Sequence, residues 1–200
     1  MVKNKQIMRT VVIEGQRRNE LGRKATRDLR AQGLVPGVIY GAKEQVAFTC
    51  TLNDLKPIVY TPDFMEVDIK IDGVTHRCIL KDLQFDVVTD SLIHVDFLEL
   101  VDDKKVIATL PLKFIGQSAG VKAGGRLEIK MKTLKVRTYP KYLQESIEVD
   151  ITNLKINENI RVEDIVADNM EKMMPGRQPI AAVVMTRALR QASTEEKKGK

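Results

Sequence analysis

The chain has 200 residues, 43% hydrophobic and 30% charged, a balance that supports one or two packed cores and excludes disordered and collagen-like classes. No apolar run approaches the roughly 18 residues that span a bilayer, and no hydrophobic signal core follows Met1-Val2-Lys3-Asn4-Lys5, so the expectation is a cytosolic protein. Of the net charge of +6, all falls in residues 1–40, where nine Lys/Arg face Glu14, Glu20 and Asp28; residues 41–200 carry 24 charges of each sign.

Met8 to Gln16 reads as a first strand, β-branched at Val11, Val12 and Ile13. A short helix is predicted from Arg23 to Gln32, stopped by Gly33, and Val35-Pro36-Gly37 reads as a turn into Val38-Ile39-Tyr40. Val46, Phe48, Cys50 and Leu52 alternate as a strand, and Asn53 is a candidate N-cap for a brief helix to Tyr60. Met65 to Ile71 alternates, Asp72-Gly73 is a hairpin turn, Val74 to Lys81 is the return strand, and Leu92 to Leu100 is another.

Asp102-Asp103-Lys104-Lys105 reads as a boundary. Beyond it, strands are predicted at Val106–Ile115, Arg126–Thr138, Ser146–Ile151 and Gln178–Met185, with a mobile glycine-rich hairpin loop at Gly116–Gly125. Ala192 to Lys200 holds too few apolar residues to offset ordering entropy. The expected fold is mainly β with a few short helices (α+β). A small mixed-sheet β-barrel over 1–101 precedes a β-rich domain over 102–186 and a flexible basic tail over 187–200.

Charge concentrated at one end implies a polyanionic partner, nucleic acid before membrane, since no amphipathic apolar stripe accompanies it. At about 100° per residue, Arg23, Arg27 and Arg30 fall within an arc of roughly 60°, opposite Ala25 and Leu29. That arc carries no acid, so phosphate contact outweighs an ordinary solvated face, and Arg18 enters beside it through the Gly22 turn. Tyr40 is either an amphipathic core residue or a ribose or base contact. In Leu92 to Leu98, alternation puts Ile93, Val95 and Phe97 on the core face and presents His94 beside Asp96 on the other. An Asp on an RNA-facing surface needs a donor such as a base amino group, a ribose hydroxyl or an Arg, and the alternative is a plain polar strand face.

Catalysis is disfavoured, because no Gly-x-Ser-x-Gly element or supported Cys/His pairing is present. His76 and Cys78 share a strand face without a third ligand, so no metal site is expected. Gly116–Gly125 lacks the Gly-Lys-Ser/Thr ending of a phosphate loop.

Gly22-Arg23-Lys24-Ala25-Thr26-Arg27-Asp28-Leu29-Arg30 followed by Gly33-Leu34-Val35-Pro36-Gly37-Val38-Ile39-Tyr40-Gly41 resembles the opening signature of bacterial large-subunit ribosomal protein twenty-five. Asp82-Leu83-Gln84 and His94-Val95-Asp96-Phe97 are similar to its later signature, and the length and the segments from Leu110 and Leu143 resemble its long two-domain form, the CTC or general stress protein. The resemblance implies a non-enzymatic, cofactor-free structural constituent of the large ribosomal subunit that binds 5S rRNA at an irregular internal loop. Other large-subunit rRNA and proteins would be its neighbours, and no membrane or small-molecule substrate is implied. It carries over RNA contacts to Arg18, Arg23, Thr26, Arg27, Arg30, Tyr40, Lys81, Gln84, His94 and Asp96. Where the family usually has adjacent arginines this chain has Arg27-Asp28, with Asp28 placed to pair with Lys24. An off-ribosome stress-response protein acting on tRNA or another structured RNA is the alternative, and an RNA-processing enzyme using His94 and Asp96 is a third reading.

Overall fold

A computed structural model describes residues 8–187 apart from Leu21, Lys43 and Asp168. All of the anticipated basic tail except Arg187 lies outside the described residues. The described chain forms two compact units, one running to Val106 and including Tyr139–Glu145, the other containing Ile107–Thr138 and the residues from Ser146 onward.

In the first unit, strands β1 (Thr10–Arg17), β2 (Leu34–Tyr40), β3 (Val46–Thr51), β4 (Glu66–Ile71), β5 (Val74–Phe85) and β6 (Leu92–Glu99) close a barrel in the order β1-β3-β2-β6-β5-β4. The β1–β4 and β2–β6 pairs are parallel and the other four antiparallel, the mixed sheet that the sequence suggested. Closure leaves no free sheet edge and lets alternate residues fill the interior. Ile13, Ile39, Phe48, Val67, Ile69, Val95 and Phe97 are all fully buried there, with the rings of Phe48 and Phe97 tilted at 47° and 6.0 Å apart. Asp72 and Gly73, both at positive φ, make the tight turn between β4 and β5.

The expected turn at Val35-Pro36-Gly37 is absent; β2 runs unbroken through it. Pro36 lies before the parallel pairing with β6 begins at Gly37, so its missing N–H costs no bond on that side. Gly37 is needed for space: a Cβ there would lie 2.8 Å from the Phe48 ring and from Val95 Cγ2. Helix α1 spans Arg23–Ala31 and α2 spans Leu52–Val59. Thr51, not Asn53, caps α2, its hydroxyl oxygen accepting from the Asp54 amide at 3.4 Å, and Leu55 and Ile58 anchor the helix on the barrel.

The second unit carries β7 (Val106–Ile115) from Ile107 onward, β8 (Arg126–Ile129), β9 (Thr133–Thr138), β10 (Ile147–Asp150), β11 (Asn159–Arg161), β12 (Glu171–Lys172) and β13 (Pro179–Val184). They form a four-stranded sheet, β10-β7-β9-β12, and a three-stranded sheet, β11-β13-β8. The single strand expected over Arg126–Thr138 is two, because the amides of Lys130 and Met131 both turn to the Ile180 carbonyl, at 2.8 and 3.1 Å.

The glycine-rich stretch is likewise not a mobile loop. It holds a short helix, α3 (Ala119–Lys122), and buried Ser118 donates to the Leu154 carbonyl at 2.6 Å while the Gly120 amide reaches the same carbonyl at 2.9 Å. A Cβ on Gly120 would meet the Ile156 amide nitrogen at 2.8 Å. Among the described residues no helix is long and apolar enough to cross a membrane.

Candidate nucleic-acid interface

Two β-bulges build the polar face of the barrel. Along β5, Cys78 and Leu80 pack against the core, and strict alternation would send Asp82 and Gln84 inward after them. The pairing with β6 instead jumps from Leu80↔Phe97 to Asp82↔Asp96, leaving Lys81 as the extra residue. A bulge reverses the facing of the residues beyond it. Leu83 therefore pairs with buried Val95 and joins the core, while Asp82 and Gln84 turn outward beside Asp96 and His94.

The second bulge lies on β6, where Gln84 pairs with His94 and Phe85 with Leu92, so Ile93 is the extra residue. Leu92, not Ile93, takes the core position beside Val95 and Phe97, which corrects the simple alternation expected for this strand. Arg30 Nε donates to the Ile93 carbonyl at 3.1 Å. One bond thus satisfies a backbone oxygen at the bulge and ties the C-terminal turn of α1 to β6.

The opposite end of α1 is fastened by Arg18. Its terminal nitrogen donates to Thr26 Oγ1 at 3.2 Å and to the Glu20 carbonyl at 3.3 Å, and Thr26 in turn donates to the Gly22 carbonyl at 2.7 Å. Ala25 and Leu29 are half-buried, whereas Arg23, Arg27 and Arg30 are exposed, as the helical wheel requires. Helix α1 ends at the Gln32-Gly33 turn, with the Gly33 amide on the Arg30 carbonyl at 3.0 Å. Asp28 reaches Arg27 Nε at 3.7 Å, so its ion pair is with the neighbouring arginine and not with Lys24.

Tyr40 closes the arrangement. In the parallel register Val38 pairs with Asp96 and Tyr40 with Leu98, which puts the phenol on the face that carries His94 and Asp96. Burial, then the negative charge of Asp96 and that of Asp82, raise the Tyr40 pKa above its ordinary value, so the hydroxyl remains a donor. His94 Nδ1 lies 2.8 Å from Asp96 Oδ1 without making a hydrogen bond to it. Among the described residues, His94 Nδ1 and Arg18 Nε are the two buried side-chain polar atoms without a hydrogen-bond partner.

The structure thus brings Tyr40, Gln84, His94 and Asp96 onto three adjacent strands, with Arg18, Thr26 and Arg30 holding α1, Arg23 and Arg27 exposed along it, and Lys81 at the bulge. Asp82 joins this cluster although the sequence did not single it out as a site residue. Two carboxylates directly opposite on neighbouring strands repel one another, and Asp82 offsets part of that cost by accepting from the Leu83 amide at 2.9 Å. Its signal was the same Asp82-Leu83-Gln84 triplet, readable as a site only with the bulge in view. On the interior face His76 Nδ1 meets Glu99 Oε1 at 3.0 Å. No group of three or more His, Cys, Asp or Glu side chains among the described residues could hold a metal.

Comparison with known proteins decides the family. Residues 13–97 match the model of the Ribosomal L25p family, and residues 105–187 match that of the ribosomal protein TL5 C-terminal domain. The large ribosomal subunit protein bL25 of Amoebophilus asiaticus is 41% identical over 194 residues, covering 96% of this chain and 99% of its own. The chain belongs to the ribosomal L25p family. Other relatives in the family, both named large ribosomal subunit protein bL25, are those of Porphyromonas gingivalis, 33% identical with 94% of this chain and 100% of the relative covered, and of Bacteroides thetaiotaomicron, 36% identical with 85% and 87% covered. The L25p match contains every proposed site residue, from Arg18 to Asp96. A family of ribosomal proteins fits a structural role and not an enzymatic one.

Proposed function

We propose that this protein is a structural component of the large ribosomal subunit in the cytoplasm that binds 5S rRNA at an irregular internal loop. The observation that carries the reading is the convergence of a tethered cationic helix with an outward polar cluster, Tyr40, Gln84, His94 and Asp96, on one face of the barrel. Regular A-form RNA hides its base edges in a deep, narrow major groove, whereas non-Watson–Crick pairs change groove width and expose donors. Arg23 and Arg27 neutralise phosphates. Arg30 does the same with the guanidinium nitrogens beyond Nε, while Arg18 and Thr26 hold the helix and meet the backbone at its start.

Asp96, a pure acceptor, repels phosphate and reads donors such as a base amino group or a ribose hydroxyl. Tyr40 and Gln84 donate or accept beside it, and Lys81 adds charge at the bulge. His94 Nδ1 and Arg18 Nε each lack a hydrogen-bond partner within the protein, so His94 gains a hydrogen bond by turning onto RNA, while Arg18 keeps its terminal nitrogen on Thr26. The division of labour is a first domain that recognises 5S RNA and a second, over about 102–186, that meets neighbouring components of the subunit.

Binding of the full chain to 5S RNA and to a 5S variant whose internal loop is fully Watson–Crick paired tests this reading. The native loop should bind at least ten-fold more tightly at 0.1 M salt, with protections confined to it. Equal affinity for the two RNAs, or for an unrelated hairpin of the same length, refutes the assignment.

A further inference from the structure

The turn between β5 and β6 carries an apolar feature that RNA recognition leaves unused. Val87 is 97% exposed and Val88 91%, and Phe85 beside them is 40% exposed. This exposure is built in. Asp86 Oδ1 accepts from the amides of Val88 and Thr89 at 2.9 and 3.0 Å, the Asp90 amide donates to the Asp86 carbonyl at 3.0 Å, and the Asp86 amide closes on the Ser91 carbonyl at 2.8 Å. The Thr89 and Ser91 hydroxyls lie 2.7 Å apart. Two adjacent valines are therefore held out from the barrel on a turn whose ordering cost is met before any partner arrives.

The charge around the tip indicates what covers it. From Phe85 to Ile93 there are two acids, Asp86 and Asp90, and no Lys, Arg or His. The Thr89 amide and then the Val88 amide hold the Asp86 carboxyl below the usual range, so it stays ionised. Phosphates are repelled by this rim, and valine has no ring on which a base could stack. An acidic rim around an aliphatic tip complements a basic protein surface with an apolar socket.

We propose that the β5–β6 turn, with Val87 and Val88 at its tip, is a docking knob for a basic protein on the large subunit, placed next to the RNA-reading edge. The placement comes from register: Phe85 and Leu92 are the pair next to Gln84 and His94, and Arg30 holds α1 at Ile93. One end of the barrel thereby joins RNA to protein. The proposal rests on the reading of this chain as a large-subunit protein bound to 5S RNA.

The test uses the full chain and large subunits purified from cells lacking it. Val87→Ser/Val88→Ser should melt at the wild-type temperature and bind isolated 5S RNA within two-fold of wild type. It should bind the deficient subunits about ten-fold or more weakly, the weight of burying one valine. A benzophenone amino acid at position 88 should cross-link on those subunits to one protein, at a segment rich in Lys and Arg. Cross-linking to rRNA or to a second copy of the chain, no cross-link, or undiminished subunit affinity overturns the knob. Failure of the unmodified chain to prefer 5S RNA overturns the RNA reading instead, and the subunit comparison still decides the knob.

Discussion

The contact between Asp28 and Arg27 makes a quantitative prediction about RNA affinity. The carboxylate sits 3.7 Å from Arg27 Nε and competes with phosphate for that guanidinium. Unscreened in water, unit charges at this distance interact by about 1 kcal/mol. The two side chains are 80% and 54% exposed, so screening at 0.1 M salt leaves about 0.3–0.5 kcal/mol. Asp28→Asn should therefore tighten 5S RNA binding about two-fold at 0.1 M salt, and more at 0.01 M, where the Debye length triples. Arg27→Ala removes one phosphate contact and should lower the slope of log K against log salt by roughly 0.7–0.9. The decisive measurement is the double-mutant cycle, read by filter binding or fluorescence anisotropy across a salt series. If the acid works by occupying Arg27, the gain from Asp28→Asn falls by more than half in the Arg27→Ala background. An equal gain in both backgrounds means that Asp28 acts through general repulsion of RNA, and weaker binding by Asp28→Asn removes the argument altogether.

Other parts of the barrel give three further expected outcomes. Asp96→Ala should reduce the preference for the native loop over its fully paired variant while leaving the salt slope unchanged, and equal loss on both RNAs contradicts its reading role. Gly37→Ala drives a methyl into the Phe48 ring and Val95, so thermal melting should show a loss of about 1–3 kcal/mol, and an unchanged melting temperature would disprove the close approach. Burial, with a smaller contribution from Asp54, pushes the Cys50 thiol up from its ordinary 9.0 to about 12. Ellman's reagent at pH 8 should accordingly label Cys50 only after denaturation. Because the folded-state value is the raised one, this thiol contributes nothing to pH dependence well below 9 and lowers stability as pH climbs toward 12. A native protein that labels within seconds would contradict that burial.

Most elements of the barrel were legible because each strand buries one face and period-two alternation survives in it. Val67, Ile69 and Ile71 on β4 read as inward, and are. The arginine arc of α1 was legible for the same reason, a 3.6-residue period with Ala25 and Leu29 beneath it. What escaped were features set by partners distant in sequence. Pro36-Gly37 looks like a turn until the Phe48 ring is seen across it, and Gly116–Gly125 looks slack until Ser118 and Gly120 are seen to share the Leu154 carbonyl. The break at Lys130–Lys132 depends likewise on a carbonyl 50 residues further on in β13.

The site was legible as residue types but not as a surface. Alternation carried along β5 from Cys78 assigns Asp82 and Gln84 to the core, where an unpaired carboxylate would cost several kcal/mol. The alternative, a strand that changes face, needs one residue inserted in the pairing, and no glycine or proline near Lys81 marks it. Only the register against β6 shows why both can be true: hydrophobic Leu80 and Leu83 bracket the bulge and both pack against the core. Two apolar residues spaced by three within an alternating strand are therefore the local trace of such a reversal. The spacing Leu92 to Val95 on β6 repeats it, and there the extra residue offers the carbonyl that Arg30 takes. The irregularities of the two strands thus aim the polar side chains and seat the cationic helix. With Lys81 and Ile93 retained, a regular ladder would turn Gln84 and His94 toward the core, whereas deletion of either extra residue leaves an alternation that keeps the native facing. Deletion of Lys81 should therefore cost its charge but not the aim of Gln84, and loss of all preference for the native loop in that variant would contradict this account.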